Sequence, residues 1–189
     1  MKKLSVIALA FLLTGCANSQ ISQSFTITDN DVSTISIDSQ SSFSVTRVVV
    51  LANGVAEMMN SLNAKALIVG RDLASSEKAL GDIPVVTSGH QVLPEKVIAL
   101  KPDLVIIDAS TGPKSAIDQI KSAGIRVEQT PESWNLEDIS LKVQAVADVI
   151  GAPLQGALLN QAMSSAITNS KLSSKPRIAF LYLRGTSSI

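Results

Sequence analysis

The chain is poor in the residues that most often advertise chemistry: its 189 residues hold one cysteine, Cys16, and one histidine, His90. A lone thiol forms no internal disulfide, and one histidine without further cysteines is a weak start on a tetrahedral zinc set. With one Trp and one Tyr there are few platforms for stacking bases, and 16 Lys+Arg balance 16 Asp+Glu, so no global field draws a polyanion. Nucleic acid is set aside as a partner. The turn "LANGVAE" lacks a G-x-G-x-x-G, and the chain has neither a P-loop nor a G-x-S-x-G elbow, so a nucleotide-dependent enzyme or a serine hydrolase finds no support. We therefore expect a protein that is not an enzyme. The one strongly apolar run, "LSVIALAFLL" from Leu4 to Leu13, is too short to span a bilayer as a mature helix.

What that run does fit is export. Lys2 and Lys3 precede it, and Leu13-Thr14-Gly15-Cys16 follows, which resembles the lipobox of bacterial lipoproteins. The resemblance implies a signal peptide over residues 1–16, lipidation of Cys16, and a mature chain held outside the cytoplasm on the cell membrane, on the periplasmic side in a Gram-negative cell. Residues 17–46, rich in Ser, Thr, Asn, Asp and Gln, read as a polar tether with a possible hairpin around Asp29-Asn30-Asp31.

From Arg47 the pattern changes to short apolar runs alternating with amphipathic stretches. "RVVVLA", "ALIVG", "IPVVT", "DLVIID" and "IRVEQT" read as strands, the near-continuous ones buried on both faces. Between them lie helical patterns: Val55, Met58, Met59 and Leu62; a short helix over Pro94 to Leu100; one opened by Gly112-Pro113 and closed by Gly124; and one capped by Asn135 with Ile139, Val143, Val146 and Ile150 inward. The alternation predicts an α/β, Rossmann-like lobe with a mainly parallel sheet over residues 47–152. Residues 153–174 read as one long connector helix with two adjoining stripes, Leu154, Leu158, Ala162, Ala166 and Leu159, Met163, Ile167. Residues 175–189 read as the first strand of a second lobe that is cut off.

"RVVVLANGVAEMMNSLNA", "LIVGRD", "LPEKVIALKPDLVIID" and "IKSAGIRV", in this order, resemble the substrate-binding lipoproteins and periplasmic proteins of ABC importers for iron chelates, haem and cobalamin. The resemblance covers about Arg47 to Gly185. It implies two α/β lobes joined by a rigid helix, a ligand in the cleft between them, and partnership with a permease and an ATPase. "VGRD" and the pair Gly89-His90 ahead of the "EKV" helix look most like the haem-binding branch, which makes His90 an expected axial ligand of haem iron. Glu95 would dock on the permease. The chain departs from the family in lacking most of the C-terminal lobe, so a remnant without useful affinity stays open beside haem, ferric siderophore and cobalamin as ligand.

The residues also carry readings of their own. His90 follows "IPVVT" at the edge where open α/β sheets bind ligands, although an ordinary exposed histidine would read the same way. Arg71 could pair with a propionate or another acidic group, or simply with Asp72. Asn53 and Gly54 either let backbone N–H groups approach a ligand or only make the turn. Trp134 reads as a hydrophobic cap, or as a plane for a flat macrocycle. Tyr182 reads as core and Arg184 as a residue facing the cleft. Glu95 by itself is also an ordinary first-turn acid.

Overall fold

A computed structural model describes residues 42–169. The expected signal sequence with Cys16, the expected hairpin around Asn30, the last residues of the connector, Tyr182, Arg184 and the strand expected after Lys175 lie outside the described residues.

Four parallel strands form the centre: β1 (Val48–Val50), β2 (Ile68–Arg71), β5 (Leu104–Ile107) and β6 (Arg126–Gln129), in the spatial order β2-β1-β5-β6. Both central strands are covered on both faces. Val48, Val50, Leu104 and Ile106 point to one core, with Met59, Val143, Val146 and Ile150. Val49, Val105 and Ile107 point to the other, with Val97, Ile117 and Ile120. This is the period-two division of a buried parallel strand, and it explains why "VVV" and "LVII" carry no polar alternation.

Two helical layers supply those cores. Helix α1 (Val55–Ser61) packs with α4 (Leu136–Ile150) on one face, and α2 (Pro94–Ala99) with α3 (Lys114–Ser122) on the other. Helix α3 starts one residue later than the proline rule suggests, because Pro113 itself is the N-cap in extended backbone. Asn135 caps α4 as expected: its Oδ1 accepts the Asp138 N–H at 2.9 Å while its own N–H donates to Asp138 Oδ2 at 3.1 Å. Edge strand β6 is only partly buried, and Arg126 pairs with Glu128 along it at 3.0 Å.

"IPVVT" is not a full sheet strand. Val85 makes one parallel bridge to Arg71, through Arg71 N–H to Pro84 O and Val86 N–H to Arg71 O, both 2.9 Å. Pro84 has no N–H to continue a ladder, so the segment pairs once and turns away. Its end joins a small antiparallel hairpin, β3 (Thr87–Ser88) with β4 (Gln91–Val92). Gly89 sits at φ 59° between them, the positive angle a two-residue hairpin needs at its first central position.

Helix α5 (Pro153–Asn169) is described for 17 residues, about 25 Å at 1.5 Å per residue. Of its two expected stripes only one reaches the core: Leu159 is buried and Met163 packs beside it, whereas Leu154 is 65% and Leu158 38% exposed. Close approach to α4 decides this, because Gly156 lies against Ala147 and thereby turns the Leu159 side inward. No described helix is long and apolar enough to cross a membrane.

One acid in the core layer stands outside any site. Glu57 Oε2 on α1 is buried without a hydrogen-bond partner. Burial, with the charges of Asp72 and Glu77 adding to it, lifts its carboxyl above the usual range. A carboxylate raised in the folded state loses stability as pH climbs through its ordinary value, so Glu57→Gln is expected to raise the thermal midpoint at pH 7. The gain should vanish near pH 4, where both side chains are neutral; an equal gain at both values would reject burial of charge as the cause.

Candidate functional site

Strand β1 has β2 on one side and β5 on the other, so the chain leaves β1 in one direction and later returns in the opposite one. The carboxyl ends of two such strands diverge, and the crevice between them is where open α/β sheets take ligands. A cavity of about 410 Å³ lies there, within the usual size range of small-molecule sites. Asn53 and Gly54 follow β1 into it, Asp108, Ala109 and Ser110 follow β5, and Glu132 and Trp134 come from the loop after β6. Met58 of α1 and Ile139 and Lys142 of α4 complete its wall.

Asp108 holds this edge together. Its Oδ2 accepts the Asn53 N–H at 2.8 Å, and its Oδ1 accepts the Ser110 N–H at 2.9 Å and the Ser110 hydroxyl at 2.7 Å, with Thr111 Oγ1 at 3.0 Å. Burial alone would raise its pKa, but the bonds from Ser110, Asn53 and Thr111 outweigh burial and hold the carboxyl below the usual aspartate range. Asn53 is fixed from the other side as well: Lys142 Nζ donates to its carbonyl at 2.8 Å. Lys142 is only 6% exposed, so α4 brings a buried ammonium to the cavity wall.

Asn53 and Gly54 thus reach the expected edge, where the Asn53 peptide is bound at both ends and Gly54 turns the chain into α1 at φ 75°. Trp134 does not cap the core. It is 84% exposed at the rim of the cavity, its indole N–H 3.3 Å from Glu132 Oε2, because the Asn135 cap directs the preceding residue outward.

Arg71, at the end of β2, turns inward. Its side chain is buried; Nε donates to Leu80 O at 3.0 Å, and Nη1 to Ser75 O at 2.8 Å and Asp72 O at 3.2 Å. Among the described residues Arg71 forms no ion pair with the Asp72 carboxylate, and these bonds tie the loop after β2 through backbone carbonyls. A guanidinium's several donors suit that task, since a loop tucked against the sheet leaves carbonyls that need partners.

His90 is exposed at the tip of the β3–β4 hairpin. It does not line the cavity, but its hairpin is tied to the same edge, because Val92 N–H donates to Gly112 O at 2.9 Å just beyond Ser110 and Thr111. Glu95 is exposed in the first turn of α2. Among the described residues no group of three or more His, Cys, Asp or Glu is placed to hold a metal ion. Sequence reasoning missed Asp108 and Lys142. Asp108 was legible as the polar end of "DLVIID"; Lys142, a charge within an otherwise apolar inward stripe, was the other signal.

Residues 48–189 match the family described as periplasmic binding protein. Among solved structures, the heme binding protein HmuT is similar at 33% identity with a TM-score of 0.63, the match covering 66% of this chain and 41% of that one. A periplasmic heme binding protein from Pseudomonas aeruginosa is 26% identical with a TM-score of 0.61, over 66% of this chain and 45% of its own. The periplasmic vitamin B12 binding protein BtuF of Vibrio cholerae, 19% identical with a TM-score of 0.57 over 66% and 49% of the two chains, shares the fold. No curated protein matches by sequence. The chain therefore spans between two fifths and half of the length of these structures.

Proposed function

The chain belongs to the periplasmic binding protein family, and from that premise we propose that it captures haem outside the cytoplasm and hands it to an ABC importer. The observation that carries the reading is the cavity at the sheet's switch point, with the His90 hairpin on the same carboxyl edge. Two similar structures are named as heme binding proteins at 33% and 26% identity, which favours haem. Cobalamin or a ferric siderophore is the second reading; it rests on the fold shared with the vitamin B12 binding protein.

In this proposal a neutral imidazole nitrogen of His90 ligates the iron, its exposure leaving the ring accessible to the cargo. Arg184, which lies outside the described residues, is a further ligand contact in this proposal. Glu95 meets a basic patch on the permease, where charge sets orientation more than affinity. Cys16 carries the lipid that keeps the receptor at the membrane. The protein performs no bond chemistry, and ATP hydrolysed by a separate subunit drives transport.

A haemin titration of the full chain, followed at the Soret band beside His90→Ala, tests this. A saturable, shifted band is expected, with at least about tenfold weaker binding in the variant, the loss of one strong directed bond. No shift in the parent chain would remove haem as the ligand. An unchanged band in His90→Ala would remove His90 as its axial residue.

A further inference from the structure

Lys142 presents an imbalance that its packing does not resolve. The lysine as a whole is nine-tenths buried and its ammonium carries three donors, yet its hydrogen bond is to a single carbonyl, Asn53 O at 2.8 Å. Among the described residues it enters no ion pair. A buried cation left with one neutral partner is expensive, and a ligand anion is the natural complement in a cavity whose wall it forms.

Two carboxylates share that cavity, and both are already engaged. Asp108 is saturated by Asn53, Ser110 and Thr111, and Glu132 is exposed and accepts the Trp134 indole N–H. Trp134 stands at the rim, 84% exposed, with its backbone N–H fixed on Asp138 Oδ2 at 2.8 Å. Asp138, Ile139 and Lys142 recur at i, i+1 and i+4 on α4, so one helix end supports both the indole and the ammonium.

We infer that Lys142 and Trp134 form a subsite for one edge of a planar aromatic acid, the indole lying against the ring and the ammonium taking a carboxylate. This rests on the haem reading for the identity of the cargo, but it assigns recognition to the ring plane and its acid rather than to iron. The subsite should therefore accept a metal-free porphyrin, which His90 cannot ligate.

Trp134 is the only tryptophan of the chain, so its fluorescence reports occupancy directly. The full chain is titrated with protoporphyrin IX and with its dimethyl ester, which keeps the plane and loses both charges. Saturable quenching by the acid is expected, with the ester about tenfold weaker, the size of one charge-assisted hydrogen bond. In Lys142→Met the gap between acid and ester should close. Equal binding of acid and ester by the parent chain would overturn the inference, and that comparison needs no folded variant. A gap that persists in a folded Lys142→Met would also overturn it.

Haemin titrated in parallel separates the two readings. A Soret shift without porphyrin quenching would overturn the subsite and leave haem capture standing. Quenching with the acid-over-ester gap but no Soret shift would leave the subsite standing and remove haem as cargo.

Discussion

Asp108→Ala is expected to lower the unfolding free energy of the full chain by about 3–4 kcal/mol, read from urea denaturation at pH 7. The substitution strands the Asn53 and Ser110 N–H groups at a part-buried edge and frees the Ser110 and Thr111 hydroxyls, so several donors lose one shared acceptor. Asp108→Asn should fall between, because its amide oxygen still accepts while its NH₂ faces other donors. Since the folded carboxyl titrates below its ordinary value, the stability it supplies is present above about pH 4 and is lost as pH falls through the lower folded value. Asp108→Asn should therefore have a shallower acid slope than the parent. Some slope should remain, because Asp103 is also depressed: burial opposes the shift, but the Thr46 and Arg47 bonds outweigh it. An acid slope identical in parent and variant would refute the account of Asp108.

Gly151→Ala carries the second large effect, an expected loss of about 3 kcal/mol or more. Gly151 ends α4 at φ 83°, where any Cβ is strained by about 1–2 kcal/mol. A Cβ there would also lie 2.6 Å from Ser44 Oγ and 2.8 Å from Ser44 N, and that segment is held by Ser44 N–H to Ile150 O at 2.9 Å. Gly151→Asn separates the causes. Asparagine tolerates positive φ but brings the same Cβ, so it should lose nearly as much as alanine. A mild Gly151→Asn would show that backbone strain alone matters and that the Ser44 contact yields. Both variants should loosen α5, because Gly151 sets the angle at which α5 leaves α4.

Much of the fold was legible because burial on both faces imposes a pattern of its own. "VVV" and "LVII" had to be inner parallel strands, and the inward stripe from Val143 to Ile150 had to face them. Asn135 and Gly124 marked helix ends through local hydrogen bonding, which reads directly from residue type. The site was less legible. Arg71 ends a strand on the ligand side, yet whether a guanidinium faces a cleft or a carbonyl-rich loop depends on where residues 75 and 80 come to rest, four and nine positions on. Trp134 looked apolar enough for the core, and only the capped start of α4 decided that it stands outside.

By itself, then, the sequence determined the α/β class, the alternation of strands and helices, and the position of His90 after the "IPVVT" segment, because these follow from periodicity and turn chemistry within a few residues of each site. Tertiary structure decided the strand order β2-β1-β5-β6, and with it the place of the cavity. It also brought Lys142 to Asn53 across 89 positions and Asn53 to Asp108 across 55. No local propensity encodes such meetings; they exist only once hydrophobic burial has packed α4 over β1 and laid β5 beside it.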